Sequence, residues 1–555
     1  MTQGVVVPAR ARIVMIVDNV VDGDSRVQKT AMSAADAGYD VVLIGRSPEG
    51  RREEMRLGAA TLVRLPQPLS LYGYRRRNPG RSLRWPLAYA TRDKAVHQRR
   101  QLDAARRNLR DVTAQINVDI AQREASLFRR ARKRPLKALA LLAMGRNRRE
   151  LTAQINGDLA RSRSSFFRRV RRRPLKTLVL LRHLWYGLRT YEYNRASSHH
   201  KEPHGPIDDL SARAWRLVRG RGAWRRLDLL LTDYELVYGP EIDRLQPDLI
   251  HAHDFRMIGI AVRAAARATA AGRRCRVVYD AHEFMPGVRA HSLRWRLANE
   301  AHEEQYAPAA DAVVTVSPRL AEMLQQRHRL RELPTVVLNA PSMQEPTSSA
   351  KQLDLRAACG VPRGTPLLVY SGSPAAQRGL ATVVEALPKL PDVHVAFIVP
   401  GRPASIMELE RRAVELDVAD RLHVRDYVPQ DQVVAFLRSA DVGLVPILHQ
   451  PNHEIALITK YFEYAHARLP LVVSDVETMA RTTRQLGNGE VFTAGDVDGF
   501  AAATAAVLAD PERYSKAYDQ PGLLEGWSWE TQAGVLLDLY ARLLGSTPRS
   551  GQAAA

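Results

Sequence analysis

Lys460 and Glu463 stand three residues apart in Thr459-Lys460-Tyr461-Phe462-Glu463-Tyr464, just ahead of the apolar run Leu471-Val472-Val473. Residues at that spacing share one face of a helix. A cation beside a carboxylate suits a ligand that carries both a phosphate and a sugar diol. The lysine meets phosphate oxygens, and the carboxylate accepts from ribose hydroxyls. The plain alternative is a surface ion pair. Upstream, Ser371-Gly372-Ser373-Pro374-Ala375-Ala376-Gln377-Arg378-Gly379 joins a strand pattern to a helix pattern. Small residues let the backbone approach a ligand, a helix start favours phosphate, and Arg378 supplies a cation. An ordinary strand–helix turn has the same composition. The spacing fits neither a P-loop nor a dinucleotide fingerprint.

A second group lies in the first half of the chain. His251-Ala252-His253-Asp254 and Asp280-Ala281-His282-Glu283 each end a strand pattern. Adjacent parallel strands bring such ends to one rim. There they would bind a divalent metal, or form an acceptor site in which His282 hydrogen-bonds or moves a proton. The plain alternative is a set of rim residues that cap helices. A metallohydrolase built on His251, His253, Asp254 and His282 is the corresponding enzyme alternative, although no further ligand cluster accompanies it. Asp24-Ser25-Arg26 lies in the first strand–helix loop. Asp24 or Ser25 suits a helix N-cap. Arg26 is unfavourable in a first helical turn, which points to an anionic or carboxylate partner.

The elements that position these residues alternate strand with helix. Arg12 to Val17, Val41 to Ile44, Leu249 to His253, Arg276 to Tyr279 and Ala312 to Val316 read as strands. Helical stretches lie between them. After a polar stretch at 342–352, which reads as a linker, the alternation resumes through Leu367 to Tyr370, His394 to Val399, Val442 to Val445 and Leu471 to Val473. That pattern implies parallel, doubly wound sheets. Their ligands bind at the carboxyl ends of the strands. The 555 residues are too many for one core, so two domains or more are expected.

Charge is unevenly spread. Of the 82 Lys and Arg and the 59 Asp and Glu, 40 and 12 fall within 71–230, leaving 42 and 47 for the rest. The net +23 therefore belongs to one segment. That segment repeats itself with a period of 39 residues: aligning 113–142 with 152–181 gives 19 identities in 30. Each copy joins a cationic run (Arg129 to Arg134, Arg168 to Arg173) to an apolar one (Leu136 to Leu142, Leu175 to Leu181). The composition predicts a duplicated helical insertion over 75–230. Cationic and apolar runs of this kind suit an interfacial helix on anionic lipid. Nucleic acid is the rival anion; it ranks behind the membrane surface, and none is expected. Two cysteines far apart, Cys275 and Cys359, exclude a disulfide framework and a structural zinc site and fit a reducing cytoplasm. The short run Ile13 to Val17 is a strand rather than a signal peptide. The tail 546–555 is expected to be disordered.

Several segments, in this order, carry a family resemblance: Asp24-x-Arg26-Val27, Ile250-His251-Ala252-His253-Asp254, Tyr279-Asp280-Ala281-His282-Glu283, Val314 to Ser317, Gly372 with Arg378-Gly379, Tyr427 to Pro429, Ala440 to Leu444, Lys460-Tyr461-Phe462-Glu463-Tyr464 and Trp527 to Glu530. Over about 12–70 and 240–545 the chain resembles a family-4-type (glycosyltransferase group 1) retaining glycosyltransferase of the GT-B fold. The resemblance implies an α/β protein of two Rossmann-like domains facing a cleft. Residues 1–74 with 231–341 would form the acceptor domain and 353–525 the donor domain, and a helix over 526–545 would cross back to the first. It implies a nucleotide-sugar donor, UDP- or GDP-linked, and no metal or other cofactor. Glu463 would hold the ribose and Arg378 and Lys460 the diphosphate, with Gly372, Ser373 and Asn452 on the same donor side. His282 would sit beside the transferred sugar, and Asp24, Ser25, Arg26, His253, Asp254 and Glu283 on the acceptor side.

The expected reaction transfers a sugar to a polysaccharide, glycolipid or other cell-envelope acceptor with retention. Its expected place is the cytoplasm, peripheral at the inner face of the plasma membrane through 113–181. Two positions depart from the family. Its acidic pair is E-x7-E, yet eight residues before Glu463 stands Ile455, with Glu454 one position earlier. Either Glu454 serves as the first catalytic carboxylate or that group is absent. Ser373 stands where relatives often carry an arginine. These departures keep a second class in view: a relative that has lost transfer and acts as a binding or scaffold protein through its basic arm.

Overall fold

In the computed structural model, residues 11–66, 206–343 (save 229 and 291), 354–545 and the single Trp185 are described. The repeated stretch 113–181, most of the expected linker and the tail 546–555 lie outside them. The chain falls into two compact units, the first running to Val313 and the second taking most of the chain beyond it.

The first sheet is built from β1 (Arg12–Ile16), β2 (Asp40–Arg46), β3 (Glu53–Leu57), β4 (Ala60–Leu65), β5 (Leu249–His253), β6 (Arg276–Ala281), β7 (Ala312–Thr315) and β8 (Thr335–Val336). Their order is β3-β4-β2-β1-β5-β6-β7-β8. β1 pairs in parallel with both β2 and β5, and β5 with β6. The antiparallel β3–β4 hairpin at the edge has no counterpart in the alternation read from the sequence. The chain leaves β1 toward β2 on one side and returns to β5 on the other. The crevice beyond the ends of β1 and β5 is thus a topological switch point.

The second sheet holds β9 (Leu367–Ser371), β10 (His394–Ile398), β11 (Leu422–Arg425), β12 (Val442–Val445), β13 (Leu471–Ser474) and β14 (Gly489–Phe492). Its order is β11-β10-β9-β12-β13-β14, parallel throughout. Its switch point lies between β9 and β12. Side chains alternate across a strand. Leu368 and Tyr370 accordingly enter one hydrophobic cluster, and Leu367 and Val369 the opposite one. Burial on both faces explains why these strands read as unbroken apolar runs.

One boundary differs from the sequence reading, which carries the basic insertion to residue 230. Helices Pro206–Arg219 and Trp224–Leu227 instead pack on helix Leu293–Tyr306. Trp224 Nε1 donates to Gln305 at 2.8 Å, Arg216 pairs with Glu304, and Arg294 Nε donates to the Leu227 carbonyl at 2.8 Å. The arginines of this stretch mask its membership of the globular unit, because several of them point into specific partners. Glu530, at the start of helix Trp529–Leu544, accepts from Ser342 Oγ at 2.6 Å and from the Met343 backbone. Among the described residues no helix is long and apolar enough to cross a membrane.

Candidate functional site

In the first unit, β5 and β6 end side by side and bring His251, His253, Asp254, Asp280 and His282 together. Asp280 is the hub. Arg26 Nε donates to its Oδ2 and Arg26 Nη2 to its Oδ1, both at 2.9 Å. Arg26 and Asp280 are 3% and 1% exposed, so this ion pair is sealed from water. The partner that the sequence required of Arg26 is therefore Asp280, within the protein. Asp24 caps the helix Ser25–Asp36, its Oδ1 accepting from the Val27 amide and its Oδ2 from Asn19. Ser25 is the first residue of that helix and Glu283 is exposed.

Three imidazoles surround Asp280 Oδ2: His282 Nε2 at 3.2 Å, His253 Nδ1 at 3.4 Å and His251 Nε2 at 3.5 Å. Burial opposes charge at Asp280, but Arg26 and then His282 outweigh it and hold the carboxyl well below its usual range. His253 is fully buried and is pushed down to about 3 by that burial and by neighbouring His251. Of the three imidazoles, His282 is the one that reaches solvent. Burial pulls it down, yet Asp254, 3.5 Å from its Nδ1, and Asp280 raise it to about 9. Asp254, with φ +67°, is raised to about 7 by burial against the pull of His282. The cluster presents one protonated, carboxylate-held imidazole at the strand ends.

His251, His253 and Asp280 bring their ligand atoms within 4.8 Å of one another, a spacing open to a metal ion. Both oxygens of Asp280, however, accept from Arg26. A dication there would face a buried guanidinium across a shared carboxylate, so the set suits an internal charge cluster that orients His282.

These buried imidazoles predict an acid-sensitive fold. His302, fully buried, is pushed down to about 3 by burial and then by Arg263. Its folded value, like that of His253, lies below the ordinary 6.5. Their contribution is thus complete above pH 6.5 and is lost as pH falls toward 3. By about pH 4.5 each costs about 2.7 kcal/mol. His282 has the opposite sign: its contribution is complete below 6.5 and fades as pH rises through about 9. Urea titrations from pH 9 to 4.5 are expected to peak near pH 6.5 and fall steeply on the acid side. A flat profile would show that these rings are not held neutral.

In the second unit, three chain segments meet at the strand ends beyond β9, β12 and β13. The loop Gly372–Gly379 follows β9. A Cβ on Gly379, whose φ is +70°, would come within 1.8 Å of the Pro446 carbonyl, so only glycine lets this loop lie against the chain after β12. Leu448 N donates to the Gln377 carbonyl at 2.9 Å and secures the same contact. Ser371 N donates to Tyr464 Oη at 2.8 Å, tying the end of β9 to helix Thr459–His466. Ser373 is exposed, and its carbonyl accepts from Tyr370 Oη at 2.6 Å.

Arg378 is half-buried in this loop. Its Nε is buried without a hydrogen-bond partner, and no carboxylate pairs with it among the described residues. Its charge acts on Tyr370, Tyr427 and His453. Lys460 Nζ lies 2.9 Å from Glu463 Oε2 and 5.9 Å from the centre of the Tyr427 ring. Glu463 is 5% exposed. The i,i+3 ion pair thus exists, with its carboxylate turned inward. Tyr427, 48% exposed, is influenced by both Arg378 and Glu463. Its signal in the sequence was an aromatic residue in an otherwise polar post-strand loop.

Glu454 has a different place from a free catalytic carboxylate. Its Oε2 accepts from the Glu477 amide at 2.7 Å, at the start of helix Glu477–Leu486, and its Oε1 lies 2.8 Å from His449 Nδ1. His449 Nε2 lies 3.1 Å from Asp475 Oδ1, beyond the end of β13. The hydrogen bond to Glu454 is the main cause that raises His449 above the ordinary imidazole value. Glu454, His449 and Asp475 together clamp the loop after β12; the last two were not singled out in the sequence. Ile455 is buried and its carbonyl accepts from Ser317 Oγ at 2.6 Å. Asn452 is half-buried on the same loop.

Comparison with known proteins matches residues 365–510 to the family "Glycosyl transferases group 1" and residues 216–340 to "Glycosyltransferase Family 4". The chain is similar to D-inositol 3-phosphate glycosyltransferase of Xylanimonas cellulosilytica, 28% identical over 43% of this chain and 59% of that protein. It thus spans under two thirds of that relative's length. It is also similar to the lipopolysaccharide core biosynthesis glycosyltransferase LpsE of Rhizobium meliloti, 25% identical over 48% of this chain and 74% of that protein. Among solved structures, sucrose-phosphate synthase from Thermosynechococcus elongatus superposes with a TM-score of 0.56 at 14% identity, covering 97% of this chain and 100% of that one. That likeness concerns the two-sheet α/β fold.

Proposed function

We propose, for a chain that belongs to the group 1, family 4 glycosyltransferases and has their GT-B fold, that it transfers a sugar from a nucleoside diphosphate sugar to a glycan or lipid-linked acceptor of the cell envelope, with retention. The observation that carries this reading is Arg378, a half-buried guanidinium with a buried unpartnered Nε at the carboxyl end of β9. An anion-binding role gives that charge its missing partner. Lys460 adds a second cation, and Glu463 is a carboxylate suited to ribose hydroxyls once Lys460 turns toward phosphate.

The reaction on this reading is a front-face displacement. The bond between the anomeric carbon and the diphosphate oxygen breaks as the acceptor hydroxyl oxygen bonds to the same face of that carbon. The hydroxyl proton passes to the leaving diphosphate. Negative charge grows on the leaving group, where Arg378 and Lys460 stabilise it electrostatically, so no metal ion is required for the step. In the first unit His282, held protonated by Asp254 and Asp280, is the polar group assigned to the sugar. Glu454, whose carboxylate is engaged by a helix start and His449, acts by shaping the donor loop. The acceptor class rests on relatives whose names specify an inositol phosphate and a lipopolysaccharide core. Attachment of the basic stretch 113–181 to an anionic membrane surface, on the cytoplasmic side, is part of the same proposal.

A thermal-shift series with UDP, GDP and ADP tests the donor half directly, since a ligand of the folded state raises apparent stability. One of the three is expected to stabilise the protein. Glu463→Gln is expected to weaken that nucleotide by about tenfold through loss of charge-assisted hydrogen bonds to the diol. A protein that none of the three stabilises would belong instead to the scaffold class.

A further inference from the structure

Helix Pro206–Arg219 is turned inside out. A surface helix ordinarily buries its apolar stripe and shows polar residues to water. Here the side facing the protein is set by Ala212, 1% exposed, and by Arg216, which pairs with Glu304. The outward side carries Leu210, Leu217 and Val218, exposed by 69%, 87% and 63%. With Arg213 and Ala214 these residues follow the i, i+3/4, i+7/8 spacing of a single helical face, and Arg221 follows in the turn Gly220–Gly222 after the helix; all six are exposed.

The row is flanked by cations. Arg213 and Arg221 have no ion-pair partner among the described residues. Trp215 lies under Arg219, 5.3 Å from ring centre to guanidinium, and under Arg226 at 5.6 Å. Crowding supports the same picture: burial first, then Arg226 and Arg225, lower the pKa of Arg219. The two acids of the helix, Asp208 and Asp209, stand in its first turns, away from the Arg221 end.

We propose that this face of helix Pro206–Arg219 docks on an anionic phospholipid surface. Leu210, Leu217 and Val218 enter the boundary between headgroups and acyl chains, and Arg213 and Arg221 meet lipid phosphates. The charge pattern selects this occupant. A second copy would set arginines against arginines on a chain of net charge +23. A nucleic acid would satisfy the arginines but leave Leu210, Leu217 and Val218 in water. This helix lies outside the repeated segment 113–181 in the sequence, and its docking does not depend on sugar transfer.

Co-sedimentation of the full chain with phosphatidylcholine vesicles, with and without phosphatidylglycerol, tests it. Binding is expected only with phosphatidylglycerol. Leu217→Ser combined with Val218→Ser is expected to lower that binding about tenfold or more, and Arg213→Gln combined with Arg221→Gln to lower it and flatten its salt dependence. Both double variants change exposed side chains, so melting temperature and nucleotide binding stay at the parent values. Unchanged vesicle binding in the serine pair overturns the proposal and leaves any attachment to 113–181. Equal binding to neutral vesicles overturns it too. So does a parent dimer, seen by light scattering, that the serine pair dissociates.

Discussion

Arg378→Ala is expected to lower the transfer rate on the order of 10²–10³-fold, with little change in thermal stability. Both halves of that expectation come from one observation. Arg378 has no carboxylate partner among the described residues, and its Nε is buried without a hydrogen bond. Removing most charged groups from a fold strands a partner; removing this one strands nothing. A cation that the fold does not use is available to a ligand, and the group on a nucleotide sugar whose charge grows during transfer is the leaving diphosphate. The loss should therefore fall mainly on kcat, since interactions stronger in the transition state than in the ground state set the rate. Steady-state kinetics with the donor identified by thermal shift separate the cases. A rise in KM with kcat unchanged would reduce Arg378 to a ground-state anchor, and parent-like kinetics would remove it from the site. Arg378→Lys should recover part of the activity, because a point charge replaces the fork without its geometry.

Asp280→Asn is expected to act through the fold first. Asp280 neutralises Arg26 in a pair that is 3% and 1% exposed, and three imidazoles converge on the same carboxylate. Removing the carboxylate charge leaves a buried guanidinium unpaired, a change that costs about 3–5 kcal/mol. For a unit of this size that lowers the melting temperature by roughly 6–20 °C. The second effect is on His282, whose pKa is raised to about 9 by Asp254 and Asp280. Losing one carboxylate lowers that value, so the imidazole titrates nearer neutrality. Calorimetry reads the stability loss, and histidine proton NMR or the alkaline limb of the pH–rate profile reads His282. A variant that melts like the parent would show that Arg26 and Asp280 are not the buried pair described above. A stability loss with His282 unmoved would assign Asp280 a purely structural role.

The sites were legible in the sequence to different degrees. The strand ends that carry His251, His253, Asp254, Asp280 and His282 could be located because parallel strands buried on both faces are apolar runs, and polar residues that interrupt such runs at their carboxyl ends stand out. Lys460 and Glu463 were legible because helical spacing is local. Glu454 was not, because its role depends on a backbone amide 23 positions away, at Glu477. His449 and Asp475 escaped notice for the same reason: each is an ordinary loop residue until β12 and β13 lie side by side. The end of the basic insertion was misjudged because charge composition cannot separate an arginine in water from one, like Arg216, aimed at a glutamate 88 residues away.

Short-range periodicity and motifs of a few residues were enough to define the two α/β halves, the positions of their strand ends and the family. They could not say which charges are spent and which are free, because that depends on contacts between distant segments. Arg26, expected to meet an anionic or carboxylate partner, is bound to Asp280, whereas Arg378, a residue of the same type in a comparable loop, has no carboxylate partner among the described residues. A guanidinium has the same chemistry at both positions. What differs is whether the fold brings a carboxylate within hydrogen-bonding distance, and for Arg26 that carboxylate lies 254 residues along the chain.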